Sequence, residues 1–197
     1  MQPARKRPST PALFNRLFVK IRHAIKTDLP EIAGLHIESW RNAYPGILPM
    51  EFLGDPVERE FTRYWHDIDI RTEDVVLIAE DKGLLGFIAV LCRPTPYIDN
   101  LHIKPSLRSR GIGSALLKSA AKELLAREQK TAYLWVFETN QQAIRFYERL
   151  GGVKMEEAPQ DIFGYKIPSL KIAWKDLTVI TTRLKNTSLD GNGIGSA

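Results

Sequence analysis

Between Tyr97 and Ala120 the chain reads YIDNLHIKPSLRSRGIGSALLKSA, and no other stretch restricts the fold as much. Tyr97 to Ile103 alternates as a strand does, and Pro105 ends that strand because proline has no amide hydrogen for a ladder. From Ile112 the apolar residues Ile112, Leu116, Ala120 and Leu124 recur every fourth position, the stripe of a helix. Between strand and helix stands Arg108-x-x-Gly111-x-Gly113, where two glycines remove Cβ atoms beside the unpaired amides of a helix start. Such a start, flanked by Arg108 and Arg110, attracts anions. The loop therefore reads as a pyrophosphate cradle. A turn with surface arginines is the bland alternative.

Two other nucleotide motifs fit less well. A P-loop requires Gly-Lys-Ser/Thr after four spacers, and Gly113-Ser114-Ala115 has no lysine. A dinucleotide fold wants a third Gly or Ala in G-x-G-x-x-G/A. Here Leu116 occupies that position, although Glu138 mimics the distant acid.

The flanking segments extend one α/β unit. Phe18 to Ala24 alternates as a first strand, and Asp28, Pro30 and Glu31 signal a helix start with a capping box. That helix breaks over Trp40 to Pro49, which carries Trp40 and Tyr44 on a segment expected to be exposed. These aromatics either wall a substrate cleft or anchor the core. A second helix is expected from Glu51 to Trp65. Val75–Glu80 and Leu84–Leu91 flank Asp81-Lys82-Gly83, a hairpin signal. After the helix running from Ile112 to about Glu128, Thr131 to Phe137 is a near-continuous apolar run, as of an interior strand. Strand, helix, strand makes a right-handed crossover, so 131–137 should lie parallel to 97–103. Asn140 caps a further helix to Leu150, stopped by Gly151-Gly152, and 153–157 and 168–177 read as closing strands. Antiparallel strands around one parallel pair imply a mixed sheet with helices on its faces.

A chain of 197 residues suits one domain. No apolar run approaches the roughly 20 residues that cross a bilayer, so no membrane partner is expected. One cysteine, Cys92, excludes an internal disulfide framework and fits a reducing, cytoplasmic setting. The net charge of +5 is local: residues 1–26 hold seven Lys/Arg and no acid, leaving 21 bases against 23 acids elsewhere. A body of that balance is not built to track nucleic acid. Residues 1–17 are expected to be a disordered basic extension, with a transit peptide or a contact with acidic partners as alternatives. Residues 178–197 are expected to form a flexible tail.

With these residues in view, the chain resembles the GNAT superfamily of acetyl-CoA-dependent N-acetyltransferases over about residues 18–177. One signature of that family stands as Arg108-Ser109-Arg110-Gly111-Ile112-Gly113, after Leu101-x-Ile103-x-Pro105. The second stands as Asn140, Ala143, Phe146, Tyr147 and Gly151. Trp40-Arg41-x-Ala43-Tyr44 also looks like the opening of many bacterial members. The resemblance implies an α/β (α+β) fold: a single domain whose mixed, mostly antiparallel sheet has a splayed parallel pair in the middle. It implies acetyl-CoA as co-substrate, no metal, and a small-molecule or peptide amine as acceptor, with a homodimer left open.

By the same resemblance, the backbone of Leu101, His102 and Ile103 pairs with the pantetheine arm like an added strand. The amides of Arg108, Ser109, Arg110, Gly111, Ile112, Gly113 and Ser114 hold the pyrophosphate. Asn140, Ala143 and Phe146 contact the arm. Tyr147 stands beside the sulfur as general acid, and a backbone amide near Leu101 to Ile103 serves the oxyanion. Trp40 and Tyr44 are the acceptor-side candidates. The base is open, because Tyr97 stands where relatives often carry glutamate. Asp99 is the preferred candidate, with Glu138 or an ordered water as alternatives. His102 reads as a strand histidine, and His23, His36 and His66 offer no ligand spacing. A non-catalytic acyl-CoA-binding module is the competing reading.

Overall fold

The computed structural model describes residues 18–182. The expected basic extension, 1–17, and all of the expected tail beyond Thr182 lie outside that range. Seven strands form one sheet: β1 (Lys20–His23), β2 (Val75–Glu80), β3 (Leu84–Cys92), β4 (Pro96–Ile103), β5 (Ala132–Phe137), β6 (Val153–Ile162) and β7 (Tyr165–Trp174), in the order β1-β2-β3-β4-β5-β7-β6. Every neighbouring pair is antiparallel except β4 and β5, which run parallel as the crossover argument requires.

Among the described residues six α-helices cover the two faces: α1 (Leu29–Ala43), α2 (Met50–Leu53), α3 (Asp55–Asp67), α4 (Ile112–Ala126), α5 (Gln141–Arg149) and α6 (Thr178–Thr182). On one face α4, α5 and α6 bury Leu116, Leu124, Ile144 and Ile180 against Leu77, Ile88 and Leu134. On the other, α1, α2 and α3 bury Ile32, Leu53, Val57 and Trp65 against Val76, Ile78 and Phe87. Strand β2 faces both cores, so five of its six residues, Val75 to Ala79, are buried, the pattern of a strand covered on both sides. Each large apolar side chain so buried contributes about 1.5–3 kcal/mol.

Several expectations need correction. The stretch from Glu51 to Trp65 is two helices, interrupted at Gly54, because Pro56 starts a fresh helix where no amide donor is needed. Asp28 does not cap α1: its carboxylate takes Arg22 and the Ile25 amide instead. Glu31 likewise forms no box and accepts from the Leu84 amide at 3.1 Å. The closing strands are ten residues each, joined by a turn at Phe163-Gly164. Residues 178–182 are no flexible tail: α6 lies on α4, with Ile180 fully buried.

Two details position the central strands. Strand β4 carries one extra residue against β3: Ala89 pairs with Asn100 but Val90 pairs with Ile98, which leaves Asp99 in a bulge. The regular alternation expected over Tyr97–Ile103 is broken there. A bulge bends its strand and re-aims a side chain, and here the residue is Asp99. The second detail is a latch at the start of the β3–β4 connection. Buried Asp74 accepts from the amides of Arg71 (3.0 Å) and Cys92 (2.8 Å) and from the Arg93 guanidinium (2.7 Å). Burial alone would raise the Asp74 pKa, but these donors together hold it below the ordinary carboxylate range.

Candidate active site

Strands β4 and β5 share one pair in register, Tyr97 with Tyr133, and diverge beyond it. The rings of that pair stack at 5.1 Å and close the base of the split. Past this point the β5-facing edge of β4 has no strand partner, so a main-chain edge along Leu101 to Ile103 borders open space. That space is a cleft of about 1400 Å³.

At one end of the cleft α4 begins. Gly111, its N-cap, holds φ +81, a left-handed conformation that costs glycine nothing and other residues about 1–2 kcal/mol. The first helical bond in this turn runs from Ala115 N–H to Gly111 C=O. No side chain caps the helix. The amides of Ile112, Gly113 and Ser114 are therefore left for an outside acceptor. A Cβ at Gly113 would rest in ordinary contact, 3.5 Å from the Phe146 ring and 3.7 Å from Ile103, so only a larger side chain would crowd this end of the cleft. Arg108 donates to Asn42 Oδ1 at 2.8 Å, tying this loop to the last turn of α1. Arg108, Ser109, Gly111, Ile112, Gly113 and Ser114 all line the cleft. Arg110 does not: its side chain is exposed to solvent outside the lining.

The neighbouring wall is α5. Asn140 Oδ1 accepts from the Ala143 amide at 3.1 Å, which makes it the N-cap that the sequence predicts. Ala143, Phe146 and Tyr147 follow on the cleft side. Tyr147 is 9% exposed, with Phe146 at 5.1 Å and Trp174 at 6.0 Å between ring centroids. Burial raises its phenol pKa, and the Tyr44 and Tyr97 hydroxyls add to the rise, so the group stays protonated at neutral pH.

Opposite lies an aromatic wall. Trp40 and Tyr44 prove half-buried rather than exposed, and they combine both readings: they line the cleft and pack into a ring cluster. Trp40 meets Phe61 at 4.7 Å and Tyr44 at 5.0 Å, and Tyr44 meets Phe137 at 4.7 Å. Phe163, from the β6–β7 turn, folds back over Trp40 and Phe61.

Asp99 sits on the same side of the cleft. Its Oδ2 accepts from the Tyr64 hydroxyl at 2.7 Å and from the Asn100 side-chain Nδ2. Burial raises the Asp99 pKa, and these two donors oppose the rise. Glu138, the other carboxylate considered, is not among the residues lining the cleft. His102 is a strand histidine as read: its Nδ1 meets Ser39 Oγ at 2.9 Å, and burial lowers its pKa to about 3. His36 beside it is buried and held neutral well below its ordinary pKa by desolvation and by His102. Tyr64 and Asn100 carried no motif and escaped the sequence reading. Only the fold brings α3 against the bulge.

A family model described as the acetyltransferase (GNAT) family matches residues 36–152. The chain belongs to the GNAT family. Among its relatives, the N-acetyltransferase YuaI of Bacillus subtilis, itself uncharacterised, is 28% identical over 174 residues, covering 84% of this chain and 98% of the relative. An uncharacterised N-acetyltransferase of Archaeoglobus fulgidus is 31% identical over 138 residues, 66% of this chain and 89% of that one. In structure the GNAT fold is matched by the PaiA N-acetyltransferase of Thermoplasma acidophilum, solved with coenzyme A. The TM-score is 0.60 at 22% identity, over 78% of this chain and 97% of that one. The GNAT chain described here is thus an acyltransferase with a seven-stranded sheet split at its parallel pair. No helix among its described residues is long and apolar enough to cross a membrane.

Proposed function

We propose that this GNAT enzyme moves acetyl from acetyl-CoA to a primary amine by direct attack, with Asp99 as base and Tyr147 as acid. The observation that carries the reading is the convergence on one cleft of the open edge of β4, the uncapped start of α4 and the Asp99 carboxylate. The Thermoplasma neighbour, solved with coenzyme A, lends support to the cofactor.

Bound acetyl-CoA supplies an activated thioester. The amides of Ile112, Gly113 and Ser114, with those of Arg108 to Gly111, hold its pyrophosphate. The main chain of Leu101, His102 and Ile103 pairs with the pantetheine amides, and Asn140, Ala143 and Phe146 border the arm. An amide on this stretch of β4 donates to the oxyanion as it develops, a contribution typically of about 3 kcal/mol. Trp40 and Tyr44 form the acceptor wall.

Asp99 takes the proton that the amine nitrogen sheds as the N–C bond forms. The C–S bond breaks and Tyr147 gives its hydroxyl proton to the departing thiolate. Solvent then returns a proton from Asp99 to Tyr147, so the products are the amide and the free thiol. The raised pKa of the buried Asp99 carboxylate makes it a stronger base; burial keeps the Tyr147 phenol protonated but makes it a weaker acid, so its role as donor draws on its position in the cleft and not on its pKa. The test is acetyl-CoA-dependent thiol release across a panel of amines. Release that requires both amine and enzyme supports the reading. Binding of acetyl-CoA without turnover on any small amine, peptide or aminoacyl-tRNA would refute it.

A further inference from the structure

The Tyr64 hydroxyl lies 35 residues from Asp99 in sequence and 2.7 Å from it in space. Both hydrogen bonds to this carboxylate, from Tyr64 and from Asn100, fall on the same oxygen, Oδ2. Oδ1 accepts none among the described residues, and it is not an atom sealed away from solvent. The carboxylate is half-buried and makes no ion pair with any described residue, unlike Asp74 or Asp161. Tyr64 itself is anchored: its ring stands edge-on to Trp65 at 5.2 Å, and Trp65 is fixed in turn by donating to His36 Nδ1 at 3.1 Å.

We propose that Tyr64 is a positioning residue for acetyl transfer: its hydroxyl pins Oδ2 of Asp99, so that Oδ1 is turned to the cleft to receive the amine's proton. The inference rests on the reading of Asp99 as base. A carboxylate on a bulge, with a free χ2 rotation, would otherwise present either oxygen. With Tyr64 and Asn100 on one oxygen, the rotation is fixed and the other oxygen keeps its lone pairs. Tyr64 also decides when the base is available. Its donated hydrogen bond stabilises the charged form of Asp99 against the burial that disfavours it. Burial first, and then the neighbouring Asp99, hold the Tyr64 phenol well above its ordinary pKa, so it remains a donor at every working pH.

Other titratable groups share this part of the cleft. Glu60, Arg63 and Asp67 come from α3, Asp69 and Arg93 from the loops beside it, and Tyr97 and His102 from β4. Glu60 pairs with Arg63, Asp67 with His66, and Arg93 with Asp74. Tyr97 is kept neutral by burial, as is His102. None of these gives Asp99 a direct hydrogen bond, so Tyr64 is the side chain from another element that sets its titration.

The experiment compares wild type, Tyr64→Phe and Asp99→Asn. The phenylalanine keeps the ring against Trp65, and a thermal midpoint confirms that it folds. Thiol release from acetyl-CoA is followed against pH with the fastest of spermidine, tyramine, L-lysine and an alanine-led peptide. In parallel, the carboxyl carbons of ¹³C-aspartate-labelled protein are titrated by NMR, with Asp99 assigned from its loss in Asp99→Asn. This second readout needs no acceptor.

Tyr64→Phe should move both the acid limb of the rate profile and the Asp99 titration upward by roughly one pH unit, the worth of one hydrogen bond to a charged group. It should also lower the plateau about tenfold through lost orientation, with acetyl-CoA affinity unchanged. In wild type the Tyr64 hydroxyl proton should be protected from exchange, and less so in Asp99→Asn, whose neutral amide oxygen is a weaker acceptor than the carboxylate. An Asp99 titration that Tyr64→Phe leaves in place overturns the inference alone. Wild-type turnover in Asp99→Asn overturns the base reading, and the Tyr64 inference with it.

Discussion

Replacing Tyr147 with phenylalanine separates chemistry from packing more sharply than any other single change. The hydroxyl is one atom on a ring held by Phe146 and Trp174, and those ring contacts survive the substitution. Stability should therefore move by less than about 1 kcal/mol, the ordinary range for a change that opens no cavity. For a domain of this size that is a shift of roughly 2–4 °C in melting temperature. Removing a positioned general acid, by contrast, costs about 10²–10⁴ in turnover, which corresponds to roughly 3–5 kcal/mol in the barrier. The two effects differ enough to be read in separate assays: thermal denaturation for the fold, calorimetry for acetyl-CoA affinity, and thiol release for turnover. Because burial raises the Tyr147 pKa, the alkaline limb of the wild-type profile should lie above the ordinary phenol value of about 10. Turnover of the phenylalanine variant within threefold of wild type would refute the acid role.

Further outcomes follow from named contacts. Asn140→Ala removes the cap on the Ala143 amide and should cost about 1 kcal/mol, seen as a lower denaturant midpoint. Asp74→Ala leaves the part-buried amides of Arg71 and Cys92 without their acceptor, at about 1–3 kcal/mol for each, and frees the solvent-exposed Arg93 guanidinium. Its melting temperature should fall by well over 5 °C at roughly 2–4 °C per kcal/mol. The sign of its pH effect is also set. A depressed folded pKa gives stability that is complete above the unfolded carboxylate value of about 4 and is lost as pH falls through the folded value. Wild type should thus lose stability below about pH 4, and Asp74→Asn should flatten that limb in acid denaturation. Gly113→Leu forces a side chain between Phe146 and Ile103. Acetyl-CoA at a hundred times its Kd should stabilise wild type by about 2.7 kcal/mol, and thermal shift should show this gain abolished in the variant.

Features written in local sequence were legible. Gly111-x-Gly113 with the Ile112 stripe marked the start of α4, because unpaired amides and missing Cβ atoms are properties of neighbouring residues. Asn140 announced its own helix, and the apolar run of β5 announced an interior strand. What escaped depended on pairing between distant segments. The bulge at Asp99 exists only against the register of β3, so the alternation from Tyr97 to Ile103 concealed it. Tyr64 reads as one more residue of an amphipathic helix until α3 is laid on the sheet. The outer half of the β6–β7 hairpin is mostly exposed, with little apolar patterning for a sequence to display. Its Phe163 gains meaning only by folding over Trp40 and Phe61. The break at Gly54 came from Pro56, a residue that suits the inside of a helix start as well as its interruption.

The central claim is that unpaired main chain on β4 and at the start of α4 binds acetyl-CoA, and backbone amide NMR addresses it residue by residue. Titrating acetyl-CoA into ¹⁵N-labelled protein should give the largest shifts at Leu101, Ile103, Gly111, Gly113 and Ser114, with β1 and α6 undisturbed. A spectrum unmoved at millimolar acetyl-CoA, or one whose changes fall away from the β4–β5 split, would contradict the account.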